Sequence, residues 1–307
     1  MRTRLVKLSF AAPVHFGAGR LSDGECACSA DTLFSALFIE ALGQDASEDL
    51  LRAVRSGGFL ISDAFPWIGD THYLPKPFAA PASMGGERVE GVDSAAKKAF
   101  KKLRYVPWDS YGSYFDGSLD AVEALRALRE GLGAGGVVSK VNLQREDRDE
   151  AEPYHVGGFR FGEDAGLYFL AQGDYGFEPL LETLSCSGLG GKRSSGYGRF
   201  EYEVRDCDGF ISCEGIPTGM RVLLSSAAPT ADELSDELLR GASCSLVKRS
   251  GFVQSQNYAP MPLKKRDFFV FDAGSTFEMA FSGDVFDVSV GGAHPVWRYA
   301  KAMWMEG

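Results

Sequence analysis

The 307-residue sequence is poor in the features that mark several large protein classes. No apolar run approaches the roughly 18 residues a membrane span requires. Met1 to Phe10 alternates charge with hydrophobe where a secretory signal would carry an unbroken apolar core. A cytoplasmic protein with no membrane partner is the expectation. The six cysteines, Cys26, Cys28, Cys186, Cys207, Cys213 and Cys244, form no CxxC pair and have no histidine close by, so neither a zinc site nor a disulfide framework is indicated. They read as buried or incidental thiols, and no metal or cofactor is expected. An excess of positive charge is missing too: 32 Lys and Arg stand against 42 Asp and Glu, a net charge of −10. That balance excludes a protein that coats nucleic acid by neutralising phosphates over its whole surface.

What is present is globular and unevenly charged. Hydrophobic residues make up 45% and charged residues 24%, an ordinary core-forming composition, and the length suits two domains. Cations gather at Lys97, Lys98, Lys101, Lys102 and Arg104, and again at Lys248, Arg249, Lys264, Lys265 and Arg266, so any nucleic-acid contact should be local.

The hydrophobic pattern predicts a strand over 6–10 and a helix over 33–41 capped by Ser29 or Asp31. Strands over 59–65 and 71–74 flank a turn at 66–70. Residues 78–118 read as a long insertion, followed by an amphipathic helix over 119–130 and a strand over 137–143. A hairpin is expected from 156–161 and 167–171, then a helix over 177–185 with Pro179 in its first turn, and a strand over 200–204. With the middle treated as insertion, strand, helix, two strands, helix and strand is the order of a ferredoxin-like domain. After a Gly-, Asp- and Pro-rich stretch at 206–219 the order restarts with a strand at 220–225 and a helix at 231–239. Further strands are expected at 246–253, 268–271, 276–281 and 285–290. The expectation is an α+β chain of two tandem ferredoxin-like domains, 1–208 and 209–307, with a long insertion in the first.

The most informative motif is Gly188-Leu-Gly-Gly-Lys-Arg-Ser-Ser-Gly-Tyr-Gly198, between a helix and a strand. Glycines such as Gly190 and Gly191 let a polymer approach the main chain, and successive amides can form an anion-binding concavity. Lys192 and Arg193 add charge, Ser194 and Ser195 add hydroxyl donors, and Tyr197 offers a ring for a stacked base. A P-loop would need Ser or Thr directly after Gly-Lys, where Arg193 stands, and the dinucleotide fingerprint fails because position 193 is not glycine. A plain helix-to-strand connector with incidental charge is the alternative. Lys140, Asn142 and Arg145 lie on one strand and its exit, where Lys140 and Asn142 share a face by the two-residue period and could face RNA, with plain polar surface as the alternative. Lys248 and Arg249 before Gly251 and Phe252 repeat the combination of charge, close approach and a ring, for RNA or for a partner protein. His15 could be the general base of an RNA-cleaving enzyme or a structural or RNA-contacting side chain; Asp31 could serve metal-assisted cleavage, though a helix-start cap is the favoured reading.

Taken in order, several pieces resemble the RAMP proteins of type III CRISPR systems, and among them the fourth subunit of the Csm complex in the Cas-five group. They are His15-Phe16-Gly17, Ser29 with Asp31 to Leu37, Leu74 to Pro77, Asn142 with Arg145, the glycine loop, Lys248 to Phe252, Gly274-Ser275 and His294 to Tyr299. The resemblance implies two RRM-like ferredoxin domains, capture of the 5′ repeat-derived handle of the CRISPR RNA, and no catalytic residue. The partners it implies are the Cas-ten large subunit and the backbone RAMP subunit, the third of the Csm complex, with target RNA as a further one. An RNA-processing endoribonuclease with His15 as base is the rival reading, and a scaffold whose acidic faces only bridge proteins is a third.

Overall fold

The computed structural model describes residues 2–17, 19–81, 94–142, 152–207, 213, 215–255 and 257–307. The chain opens with β1 (Thr3–Phe10), followed by the short pair β2 (Phe16–Gly17) and β3 (Gly24–Glu25). Helix α1 (Ala30–Gly43) repeats apolar residues every three or four positions, and that stripe, Leu33, Phe34, Leu37 and Ala41, is buried as its period demands. Helix α2 (Ser47–Arg55) follows, then β4 (Phe59–Ile61), β5 (Phe65–Ile68) and β6 (Thr71–Pro75). Ser62, Asp63 and Ala64 break into two what the sequence suggests is one strand, and β5 takes in residues expected to form a turn.

Next come α3 (Ser94–Lys102), β7 (Tyr105–Pro107), α4 (Tyr111–Asp116) and α5 (Ala121–Leu132). Asp120 caps α5 by accepting the Val122 and Glu123 amides. The region expected to lie outside the core is therefore partly inside it. Strand β7 extends the sheet beside β6, and Tyr111 and Tyr114 are buried with their hydroxyls donating to the Pro75 and Pro77 carbonyls. Strands β8 (Gly133–Asn142) and β9 (Glu152–Phe161) pair with each other, and β10 (Ala165–Gly173), α6 (Glu178–Ser187) and β11 (Phe200–Asp206) complete this half. The expected hairpin between β9 and β10 does not form. Strand β10 is buried along all but one of its residues and takes neighbours on both edges, while β9 is committed to β8 through all ten positions. The main sheet has the order β11-β1-β10-β5-β6-β7, antiparallel throughout, with β4 also on β10.

The second half is built of β12 (Arg221–Leu223), α7 (Asp236–Leu239), β13 (Leu246–Arg249), β14 (Phe268–Phe271), β15 (Thr276–Phe277), β16 (Val285–Asp287), β17 (Trp297–Tyr299) and β18 (Trp304–Glu306). Its sheets among the described residues are β15-β12-β18, β13-β14 and β16-β17. The helix expected over 231–239 shrinks to α7. Glu233 turns its carboxylate onto the amides of Thr230, Ser282 and Gly283, which anchors residues 230–234 as a turn across to the strand region. One apolar cluster runs through both halves, joining Leu5, Phe34 and Leu170 to Val222, Tyr299 and Met305. The architecture is mixed α/β with antiparallel sheets.

Candidate nucleic-acid interface

Segment Pro13 to His15 is the strip to which the glycine loop is fastened. Val14 exchanges both backbone hydrogen bonds with Phe159 of β9, while the carbonyls of Pro13 and His15 point the other way and accept the amides of Gly198 and Gly191. The loop closes on itself through the Leu189 amide and the Gly198 carbonyl, with Leu189 fully buried. Between these anchors, Lys192 adopts a left-handed φ of 58° and Arg193–Ser195 form a single 3-10 turn. The loop is pinned, and most of its amides are used internally. Those of Gly190, Lys192, Arg193 and Ser194 have no acceptor among the described residues. The anion-binding concavity is narrower than the glycine count suggests.

Tyr197 is corrected as a stacking platform. It is 8% exposed, its ring lies against Gly158 of β9, and the Lys140 ammonium is 4.9 Å from the ring centroid. Lys192 places its ammonium 5.2 Å from the centroid of the Tyr154 ring, and Arg193 faces Glu40 of α1 at 3.8 Å, a loose pairing. Ser194 and Ser195 are exposed. His15 is buried, and its Nδ1–H donates to the Gly157 carbonyl at 2.7 Å, which fixes the ring and leaves Nε2 without a hydrogen-bond partner among the described residues. Asn142 ends β8, and Arg145 lies outside the described residues.

Lys248, Arg249, Gly251 and Phe252 approach from the second half, on β13 and the segment after it. Lys248 is paired with Asp267 at 2.6 Å. Phe252 is 54% exposed with Lys264 5.7 Å from its centroid, so it offers the free aromatic face that Tyr197 does not. Arg249 is tied down within the chain. Its Nη2 donates to Asp31 at 2.6 Å and to Ser29 at 2.5 Å, and its Nε donates to Asp31 at 3.1 Å. Asp31 is likewise more than a cap. Its side chain is 2% exposed and receives Arg298 of β17 as well as Arg249, tying the start of α1 to two strands of the second half. Ser29 holds the N-cap position without a side-chain cap bond. Burial alone would raise the Asp31 carboxyl; the two guanidiniums outweigh it and hold its pKa well below the ordinary carboxylate range. No pattern of nearby residues announces this contact, because Arg249 and Arg298 are 218 and 267 positions away.

A second buried carboxyl joins the halves. Asp63 Oδ1 accepts the amides of Ala30 and Ser226, and Oδ2 accepts the Ser226 hydroxyl, each at 2.7 Å. Burial pushes its pKa up to about 7 against the pull of those bonds. The folded chain therefore binds this proton more tightly than the unfolded one does. The Asp63 contribution to stability falls as pH rises from the ordinary carboxylate range to about 7 and is level above it. Asp63→Asn keeps an oxygen for both amides and can donate to Ser226. Relative to wild type, its melting temperature should improve by several degrees between pH 5 and pH 8, on the order of 2 kcal/mol. Parallel melting curves at the two pH values check this, and a constant offset would refute it.

These walls enclose a cleft of about 1280 Å³. His15, Gly190, Gly191 and Arg193 line it from the first half, and Lys248, Arg249, Gly251 and Phe252 from the second. Lys192 and Tyr197 are not among its lining residues. Among the described residues no group of three or more His, Cys, Asp or Glu is placed to hold a metal ion, and no helix is long and apolar enough to cross a membrane.

A family model described as the CRISPR Csm4 C-terminal domain matches residues 217–306. The Csm4 protein of Mycobacterium tuberculosis strain H37Rv is 38% identical over 99% of this chain and 98% of its own length. That of Streptococcus thermophilus is 30% identical over 95% of each. Among solved structures, a Csm3–Csm4 subcomplex of the type III-A CRISPR-Cas interference complex aligns with a TM-score of 0.62 at 18% identity, covering 100% of this chain and 99% of that one. A Csm1–Csm4 cassette with pppApA aligns with a TM-score of 0.61 at 22% identity, covering 99% and 97%. The identities over nearly full length, with the fold and the matched C-terminal segment, establish that the chain belongs to the Csm4 family of CRISPR proteins.

Proposed function

We propose that this chain is a non-catalytic, RNA-holding subunit of a type III-A CRISPR effector complex in the cytoplasm. It captures the 5′ repeat-derived handle of the CRISPR RNA and links the Cas-ten subunit, Csm1, to the adjacent backbone subunit, Csm3. The observation that carries this reading is the cleft, with the glycine loop on one wall and the Lys248–Phe252 segment on the other. Its volume of about 1280 Å³ exceeds the roughly 300–1,000 Å³ of small-ligand pockets and suits a few splayed nucleotides. Arg193 and the open amides of residues 192–194 meet phosphates, Lys192 adds charge beside them, and the exposed Phe252 ring takes a base. Target RNA is the further polyanion that would pass this surface. Both protein contacts are supported by relatives of this fold solved with Csm1 and with Csm3. In this proposal the first half is a ferredoxin-like unit with an insertion, a reading supported by the order β11-β1-β10-β5 among strands separated by α1 and α6. The second half is its tandem partner.

Replacing Lys192 and Arg193 together by Ala should lower the RNA retained by the purified complex about tenfold or more, the effect of losing charge-assisted phosphate contacts. RNA content per particle and the shared 5′ ends of that RNA are the measurements. Unchanged content would remove the loop from the binding site. Incubated RNA should stay uncut by wild type and by His15→Ala alike, and His15-dependent cleavage would favour an endoribonuclease.

A further inference from the structure

Cations around the cleft divide into two groups. Arg104 has Glu25 at 3.4 Å, Arg193 has Glu40 at 3.8 Å, and Lys248 has Asp267 at 2.6 Å. Arg249 and Arg298 are different, because both are ion-paired to the single carboxylate of Asp31, and Lys265, which lines the same part of the cleft, has no ion pair among the described residues. Asp63, also nearby, is engaged by the Ala30 and Ser226 amides and the Ser226 hydroxyl. Arg298 is the strongest anomaly. Its side chain is 6% exposed, one amino group reaches Asp31, and its Nε and Nη2 atoms, both buried, have no hydrogen-bond partner among the described residues. Buried guanidinium donors left unmade are costly and call for a specific cause.

Lys265 is brought to this place by backbone pairing, not by an ion pair. Its amide donates to the Gly251 carbonyl at 2.8 Å and the Val253 amide donates to Leu263 at 2.9 Å, so residues 263–265 run antiparallel to 251–253, just beyond Arg249 on the same chain segment. Burial lowers the Lys265 pKa, the like charge of Arg298 lowers it further, and Asp31 opposes both. Asp31 is the one carboxylate ion-paired to these cations among the described residues; Asp63 and Asp272 also line the cleft near Arg249, but burial pushes both toward their neutral forms, so the three cations keep a positive excess.

We infer that Arg249, Lys265 and Arg298 form a phosphate-binding site at the Asp31 end of the cleft, separate from the glycine loop. The bound group is a phosphate, either of an RNA strand in the cleft or of a free phosphate or nucleotide. With RNA as the source the inference rests on the proposed function, and the strand would be held at two places, the loop and this cluster. A phosphate here would bring Lys265 the partner it lacks and give the Arg298 donors an acceptor after a small local adjustment.

Lys265→Gln tests the site without touching the Asp31 ion pairs or the Gly251 hydrogen bond. Melting of the purified chain is followed against added inorganic phosphate, with chloride at matched ionic strength as reference. Phosphate should stabilise wild type beyond chloride, and Lys265→Gln should need about tenfold more of it for the same shift, the effect of losing one hydrogen bond to a charged group. A phosphate response no larger than chloride in wild type, or equal in both proteins, overturns the inference. A short single-stranded RNA that competes with phosphate assigns the site to the strand; no competition assigns it to free phosphate or nucleotide, and either upholds the site. Lys192→Ala with Arg193→Ala should keep the full phosphate response, so a failed loop and a failed cluster give different results.

Discussion

Replacing Asp31 by Ala should cost about 3 to 5 kcal/mol and lower the melting temperature by roughly 10 °C. The size comes from what is left behind. Arg298 is almost fully buried and Arg249 is 26% exposed, and both lose their carboxylate. Two guanidiniums then face each other, and Lys265, in a half-dry environment. The missing attraction matters less than this stranded charge. Asp31→Asn should fall between wild type and Ala, since an amide oxygen can still accept one guanidinium hydrogen bond. A double variant, Asp31→Ala with Arg298→Met, should recover part of the loss and make the two changes clearly non-additive. The sign of the pH dependence follows from the lowered Asp31 pKa. Its stabilisation is fully present above about pH 4 and drains away as acid approaches the folded-state value, so the gap between wild type and Ala narrows in acid. Chemical denaturation of the three variants is the measurement. A loss under about 1 kcal/mol for Asp31→Ala would mean that the triad does not hold the halves together.

The parts of the molecule legible from sequence are those governed by neighbours along the chain. Strand β1 shows a two-residue period in its second half, from Val6 to Ser9, and α1 shows its buried stripe, because burial of one face imposes those periods directly. The glycine loop was visible as a special backbone segment for the same reason. Its chemistry was less so. Tyr197 reads as an exposed ring among glycines, yet the space it fills is made by Gly158, 39 positions earlier on a strand that pairs with β8 and not with the following strand as local pattern suggests. Arg249 reads only as a contact for RNA or a partner protein, and its pairing with Asp31 is invisible until the fold places the two together. Strand β10 looks like half of a hairpin because local pattern cannot tell a strand that pairs with its neighbour from one that pairs with the first strand of the chain. Helix α7 fell short through one side chain: Glu233 finds acceptor work across the chain at Ser282 and Gly283. In each case the deciding interaction links residues tens or hundreds of positions apart, where periodicity carries no information.

The glycine loop supplies the second large expectation, and it separates two causes that sequence alone would merge. Gly196 and Gly198 have nearly the same left-handed φ, 83° and 79°. A side chain at either meets the same backbone penalty, about 1 to 2 kcal/mol. Their surroundings differ. A Cβ on Gly196 meets nothing within 4 Å, whereas one on Gly198 would overlap the Leu189 carbonyl oxygen and lie 2.9 Å from its nitrogen. Those are backbone atoms that cannot turn aside, and displacing them breaks the Leu189–Gly198 and Gly198–Pro13 hydrogen bonds that close the loop. Adding about 1 kcal/mol for each lost bond, Gly198→Ala should cost about 3 to 4 kcal/mol and Gly196→Ala about 1 to 2. Function should divide the same way. Gly196→Ala leaves Lys192 and Arg193 where they are, and the complex keeps its RNA. Gly198→Ala frees the loop from Pro13, lets its exposed turn wander from the cleft, and lowers retained RNA at temperatures where the rest of the chain is folded. Melting curves and RNA content measured on both variants decide it. Equal losses in both would show that conformational preference alone shapes the loop, and full RNA retention in Gly198→Ala would show that its closure is not what presents the two cations.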